Sequence, residues 1–246
     1  MIPDVPPEIT DATRTAKNVT VLTGAGMSAE SGVPTFRDAQ TGLWQRYDAA
    51  ALATPDAWAA DADLVWAWYQ WRAELVRAAK PNAGHIALAG CDANVRIITQ
   101  NVDDLHERAG STNVEHLHGS LFAPRCSECG KPAEVDPVSE PTERIPPPSC
   151  TDCASPVRPG VVWFGESLPE APWLAAIDAV ESCDVLLVVG TSGVVYPAAG
   201  LPSVARGAGV NVIEINPVAT ELTDQVDFSW RTTAALGLPA LIAGIV

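Results

Sequence analysis

The stretch Val19-Thr20-Val21-Leu22-Thr23-Gly24-Ala25-Gly26-Met27-Ser28-Ala29 reads as a short apolar strand that stops at a pair of glycines, with small residues following where a helical turn can start. The same pattern recurs down the chain. Val95 to Ile98 gives way to Thr99-Gln100-Asn101, Val114 to Leu117 to His118-Gly119, Val185 to Val189 to Gly190-Thr191-Ser192, and Val210 to Ile215 to Asn216, with a last strand expected at Val226 to Trp230. Continuous apolar runs suit strands covered on both faces, and the spacings between most of them suit helical crossovers in a parallel sheet. The expected fold is therefore α/β, a doubly wound, Rossmann-like parallel sheet. Ligands of such sheets bind beyond the carboxyl ends of the strands, where these polar clusters stand.

Two segments break the rhythm. Residues 41–81 carry Trp, Ala and Leu at helical spacing, and residues 122–156 hold four cysteines with Pro137, Pro141 and Pro146-Pro147-Pro148. Both are assigned to a smaller helical and zinc-binding domain, inserted in a dinucleotide-binding domain made of residues 1–40, 82–121 and 157–246. The Pro- and Glu-rich stretch between the cysteine pairs lacks periodicity and is expected to be a mobile surface loop.

Of 246 residues, 47% are hydrophobic and 18% charged, which excludes wholesale disorder. Fifteen Lys and Arg against thirty Asp and Glu leave a formal charge of -15, a field that repels phosphate backbones and anionic lipids, so neither nucleic acid nor a membrane surface is an expected partner. No stretch approaches the roughly 18 apolar residues of a membrane span, and no basic and apolar leader opens the chain. A soluble, cytoplasmic monomer is the expectation.

Cys126 and Cys129 form one Cys-x-x-Cys pair and Cys150 and Cys153 a second, with twenty residues between the pairs. This is the knuckle spacing of a closed four-thiolate zinc site. A disulfide framework is the alternative, against which stand the absent leader and the two cysteines left over. Cys91 and Cys183 read as small buried hydrophobes.

The Gly24-Ala25-Gly26 turn lets backbone approach a pyrophosphate and aims helix N-terminal amides at it; a tight turn without a ligand is the alternative. No acidic residue ends the next strand, as an ordinary dehydrogenase would need to hold ribose. Gly190-Thr191-Ser192 and Asn216 are short polar groups that can replace it. His118, at a strand end beside Gly119, is the best general-base candidate, because imidazole titrates near neutral pH. A hydrogen-bonded structural histidine is the plainer reading of any such residue.

Gly24-Ala25-Gly26-Met27-Ser28-Ala29-Glu30-Ser31-Gly32-Val33-Pro34-Thr35-Phe36-Arg37 resembles the opening signature of the sirtuins. The likeness continues through Thr99-Gln100-Asn101-Val102-Asp103-Asp104-Leu105-His106, His118-Gly119-Ser120-Leu121, both cysteine pairs, Val161-Val162-Trp163-Phe164-Gly165-Glu166 and Gly190-Thr191-Ser192. It implies an NAD-dependent enzyme that removes acyl groups from protein lysines, releasing nicotinamide, the lysine and O-acyl-ADP-ribose. It also implies site residues. Gly24, Ala25, Gly26, Ser28, Thr35, Phe36 and Arg37 would border the cofactor, Gln100, Asn101 and Asp103 its nicotinamide half, and Gly190, Thr191, Ser192, Asn216 and Ala234 its adenosine half. His118 and Asn101 would be catalytic, His118 as the base that helps deprotonate a ribose hydroxyl. Val161, Trp163, Phe164, Gly165 and Glu166 would meet the acyl-lysine substrate, with Trp163 to Glu166 pairing as an extended strand. The zinc would be structural. Pro217 departs from the pattern by removing a backbone amide next to Asn216, and Thr232 and Thr233 stand where glycine is common.

Val65, Tyr69, Arg72 and Val76 fall at i, i+4, i+7 and i+11, which puts a phenol and a guanidinium on an apolar helical stripe. An Arg there needs an anion, and its fork fits a carboxylate. Tyr69-x-x-Arg72 resembles the acyl-pocket pair of the sirtuins that remove succinyl, malonyl and glutaryl groups. Arg72 bridging to one of the protein's own carboxylates is the alternative. Trp58, Trp66, Trp68 and Trp71 read as core, while Trp44 is expected to end a loop that closes over NAD. A zinc-knuckle binding module, a Rossmann oxidoreductase, a plain deacetylase and a sirtuin-like ADP-ribosyltransferase are the rival readings.

Overall fold

A computed structural model of the chain describes residues 3–35, 42–138 and 142–245. In chain order it runs α1 (Pro7–Thr13), β1 (Asn18–Thr23), α2 (Gly26–Ala29), α3 (Ala49–Leu52), α4 (Pro55–Ala60), α5 (Ala62–Ala78), α6 (Ala83–Ala89), β2 (Asn94–Thr99), α7 (Leu105–Ala109), β3 (Val114–His116), β4 (Arg125–Cys126), β5 (Val157–Arg158), α8 (Glu170–Ser182), β6 (Val185–Val189), α9 (Leu201–Gly207), β7 (Asn211–Ile215), β8 (Phe228–Trp230) and α10 (Ala234–Ile242).

Six strands form one sheet in the order β3-β2-β1-β6-β7-β8, every pair parallel. All five residues of β6 are buried, because its side chains alternate between two cores. Val185, Leu187 and Val189 point into a core with Ile97, Leu88 of α6 and Leu238 and Leu241 of α10. Leu186 and Val188 point the other way, toward Ala176 and Val180 of α8 and Leu201 and Ala205 of α9. The strand order turns back on itself between β1 and β6, and that switch point opens a crevice at the carboxyl ends of both strands.

A third core joins Trp44, Val65, Trp68, Tyr69 and Val76 to Val161 and Trp163. Its backbone is α5, seventeen residues free of Gly and Pro and rich in good helix formers. The Asp61 carboxylate caps its start by accepting the Leu64 amide at 3.0 Å. β4 and β5 make a separate two-stranded antiparallel ribbon beside the cysteines.

The expected mobile loop between the cysteine pairs is docked over its described downstream part. Arg144 donates to Asp61 Oδ2 at 3.0 and 2.8 Å, the Ile145 amide to Asp63 O at 3.1 Å, and Glu143 binds both Arg46 and Tyr47. The aperiodic segment finds partners at the start of α5 and in the turn before α3. Among the described residues no helix is long and apolar enough to cross a membrane.

Candidate active site

Four strand ends meet at the switch point. The backbones of Gly26 and Gly190 touch, with the Gly26 amide donated to Gly190 O at 2.8 Å. A methyl group on Gly24 or Gly26 would lie within 2.8 Å of Gly190, so only glycine allows this approach. Gln100 Nε2 donates to Thr191 Oγ1 at 3.0 Å, and Asn216 Nδ2 donates to Thr191 O at 2.9 Å. Thr191 thus ties the ends of β2 and β7 to that of β6.

The turn after β1 differs from expectation in one respect. α2 is a single turn, and the amides of Gly24, Gly26, Met27 and Ser28 are donated to Val189, Gly190, Gly24 and Ala25 carbonyls. The protein consumes the amides that the sequence pattern would aim at a pyrophosphate, and the Ala25 amide is outside that set.

Ser28 anchors the next cluster. Its hydroxyl donates to Asp103 Oδ2 at 2.9 Å and accepts from Asn101 Nδ2 at 3.1 Å, and all three residues are buried. Burial raises the Asp103 pKa above the usual carboxylate range, against the pull of the Leu105 amide and the Ser28 hydroxyl. His118 lies one strand over, half-buried, with Nδ1 2.9 Å from Gln100 O. A carbonyl only accepts, so Nδ1 carries the proton and Nε2 keeps a lone pair. Burial lowers the His118 pKa, offset in part by that carbonyl, which favours the neutral ring a base needs. His116 is different. Its ring nitrogens face Asn101 O at 3.1 Å and the Glu107 carboxylate at 2.7 Å, and those acceptors outweigh burial and raise its pKa.

Trp163 to Glu166 is a closed turn, not the extended strand expected. The Glu166 amide returns to Trp163 O at 3.0 Å, Gly165 has φ +90°, and the Trp163 and Phe164 amides go to Glu166 Oε2 (2.8 Å) and Ala53 O (2.9 Å). Arg158 fastens the turn by gripping both Glu166 oxygens at 2.6 and 2.9 Å. These bonds use the Trp163, Phe164 and Glu166 amides within the protein. Phe164 is 48% exposed, whereas Val161 and Trp163 are buried in the third core.

On α5, Tyr69 is buried and its phenol accepts the Trp163 Nε1 proton at 3.1 Å. Burial pushes the phenol pKa up to about 12, so it stays protonated. Arg72, one turn on, is half-buried with its guanidinium carbon 5.0 Å from the centre of the Trp68 ring. Burial lowers its pKa, while the Tyr69 phenol and the Asp103 charge oppose the shift. Arg72 on α5 is thus linked electrostatically to Asp103 of the Ser28 cluster.

The other expected cofactor residues are placed as follows. Trp44 is 1% exposed and packs on Tyr47 and Trp71 in the third core, and the stretch before it, residues 36–41, lies outside the described residues. Ala234 is buried in the core formed with α6, and Thr233, whose hydroxyl is buried without a partner among the described residues, heads α10 instead. Thr35 is half-buried, and Phe36 and Arg37 lie outside the described residues. Ser192 is half-buried beside Thr191.

The sulfurs of Cys126, Cys129, Cys150 and Cys153 all lie within 4.8 Å of one another, with Cys126 to Cys153 at 3.4 Å and Cys129 to Cys150 at 3.7 Å. Tetrahedral zinc with bonds of about 2.3 Å sets its sulfurs roughly 3.8 Å apart, so the donor set fits that ion with no position left open. Cys183 is buried as expected, and Cys91 is partly buried against the first core.

Sequence reading passed over the Arg158–Glu166 clasp and the Trp163–Tyr69 bond. No periodic signal links residues eight or 94 positions apart. The buried Glu214 was also missed; it gathers Thr220, Thr223, Ser229 and Arg231 beneath Asn216.

Residues 24–197 match the Sir2 family. An NAD-dependent protein deacylase 2 of Corynebacterium efficiens is 52% identical over 236 residues, covering 93% of each chain. The NAD-dependent protein deacylase Sir2 of Mycolicibacterium smegmatis is 54% identical over 228 residues, 91% of this chain and 95% of that protein. A crystal structure of a Sir2 homolog–NAD complex superposes with a TM-score of 0.89 at 47% identity, covering 97% of this chain and 93% of that one. With the parallel sheet, the crevice at its switch point and the four-cysteine cluster all within the span that these likenesses cover, this chain belongs to the Sir2 family.

Proposed function

We propose that this protein is an NAD-dependent protein-lysine deacylase whose preferred acyl groups end in a carboxylate: succinyl, malonyl or glutaryl, with some activity on acetyl. The observation that supports the reading is a His118 with Nε2 left basic, together with a buried Tyr69 phenol and, one turn on, an Arg72 whose charge interacts with Asp103 of the Ser28 cluster.

Bound NAD supplies an electrophilic anomeric carbon and a nicotinamide leaving group. The glycine turn of Gly24, Gly26 and Gly190 would let the backbone around Ala25, whose amide is outside the consumed set, approach its diphosphate, while Gln100, Thr191, Ser192 and Asn216 would offer neutral amides and hydroxyls to its sugars. The buried Ser28, Asn101 and Asp103 hold the polar end nearest the reaction. His118 Nε2 accepts the proton of a ribose hydroxyl, helped by the Gln100 carbonyl that fixes its tautomer. Arg72 meets the distal acyl carboxylate with its fork, and Tyr69 adds a hydrogen bond. Products are nicotinamide, the free lysine and O-acyl-ADP-ribose. Zinc held by Cys126, Cys129, Cys150 and Cys153 would have no open position and would hold the β4–β5 ribbon in place.

Nicotinamide release from NAD, measured with one lysine peptide carrying either acetyl or succinyl and with His118→Ala as the blank, tests both levels. A strong succinyl preference supports the full reading. Equal or faster acetyl turnover keeps the deacylase and returns Arg72 to a structural role. No release from either peptide overturns the reading and favours ADP-ribosyl transfer.

A further inference from the structure

Trp163 makes a bond that packing alone does not require. Its indole nitrogen donates to the Tyr69 phenol oxygen at 3.1 Å, and the two side chains are 2% and 4% exposed. Most buried side-chain donors are satisfied by backbone or water. This one is spent on a residue of the proposed acyl pocket.

We propose that Trp163 is a specificity-determining positioning residue: by donating to Tyr69 it orients the phenol so that the phenol's own proton points to an acyl carboxylate. The proposal rests on the reading of Tyr69 and Arg72 given above. A phenol oxygen that accepts one hydrogen bond still donates one, and the donated bond is strengthened when the oxygen also accepts. Among the described residues nothing takes the Tyr69 proton, so that donor is kept for a ligand.

The placement of Trp163 supports the role, because the ring is held from several sides. Its backbone amide binds Glu166 Oε2 at 2.8 Å, and the Arg158 guanidinium carbon lies 3.4 Å from the ring centre. Arg158 also holds Glu166 through two bonds and donates to Val161 O at 3.2 Å, while Trp58 packs on the ring at 5.6 Å. Arg158 belongs to the strand that pairs with the one carrying Cys126. The phenol is thus oriented from a rigid clasp at the root of the cysteine ribbon, not from its own helix alone. An acetyl group lacks the carboxylate that this proton would meet.

The test uses zinc-loaded, full-length protein with saturating NAD and the acetyl and succinyl peptides. Trp163→Phe deletes the donor and keeps an aromatic ring; benzothienylalanine at 163, which replaces N–H by sulfur in an isosteric ring, serves if the first variant melts early. The expected result is a fall of about fivefold in the succinyl-to-acetyl ratio of kcat/KM, the size of one neutral hydrogen bond. It should appear mainly as a raised KM for the succinyl peptide, whatever common loss both substrates share. In a Tyr69→Phe background the ratio should not fall further. A ratio within twofold of the parent, or a loss that adds fully to that of Tyr69→Phe, overturns the proposal. If Tyr69→Phe and Arg72→Met lower the ratio while the Trp163 variants do not, only the role of Trp163 falls; if none of them moves it, the acyl reading falls and takes this proposal with it.

Discussion

His118 and Arg72 show how burial sets what a side chain can do. Because burial lowers the His118 pKa, the protonated, inactive ring appears only at lower pH than for an exposed histidine. The acid limb of kcat/KM is therefore expected below about pH 6.5, and a pH profile with the succinyl peptide checks it. Arg72→Met should depress desuccinylation by about tenfold or more, far beyond its effect on deacetylation, since a charge-assisted bond contributes about 1.5–3 kcal/mol. Parallel kcat/KM measurements on the two peptides decide it. Tyr69 and Arg72 were legible in sequence because helical spacing brings i and i+3 to one face. The bond from Trp163 was not, because its partner comes from another part of the chain. The burial of Trp44 was not legible either: besides Tyr47, three residues on, it depends on Trp71, which no local pattern ties to it.

At the scale of elements, the junction between sheet and ribbon is unusually tight. Gly119 has φ +71° and faces Gly160, and a methyl group on Gly160 would stand 1.8 Å from Ala123 O. Gly160→Ala should lower stability by about 2 kcal/mol, read from urea unfolding, and reduce activity, because the Val162 amide next in line holds His118 O at 2.8 Å. All six strands of the main sheet were legible, since alternating two-sided burial leaves continuous apolar runs such as Val185 to Val189. The docked segment around Arg144 was not. Its grip on Asp61, 83 positions away, depends on where α5 comes to rest. The turn at Trp163 to Glu166 likewise depends on Arg158, whose charge gave no local sign of its destination.

For the molecule as a whole, two histidines behind the crevice govern acid tolerance. His85 and His106 pack as a tilted pair with ring centres 4.8 Å apart, and burial pushes their pKa values down to about 4 and about 3. The unfolded chain takes up protons on both near pH 6.5 while the folded one does not. Their contribution to stability is therefore present above about pH 6.5 and lost as pH falls from there toward 4, with a slope approaching about 1.4 kcal/mol per pH unit for each ring. Urea unfolding between pH 7 and pH 4.5 should show this slope, and His85→Gln should remove about half of it.

The strand order has a further consequence during synthesis. β1 pairs on one side with β2 and on the other with β6, which begins at Val185. After β3 ends at His116, a ribosome adding about 5–20 residues per second needs roughly 4–14 seconds to deliver β6. Through that interval the inner edge of β1 has no strand beside it, and Gly24 and Gly26 lack the Gly190 they will touch. The nascent chain carries its glycine turn beside an open sheet edge, a natural target for a chaperone, and the crevice between β1 and β6 forms only in the last third of synthesis.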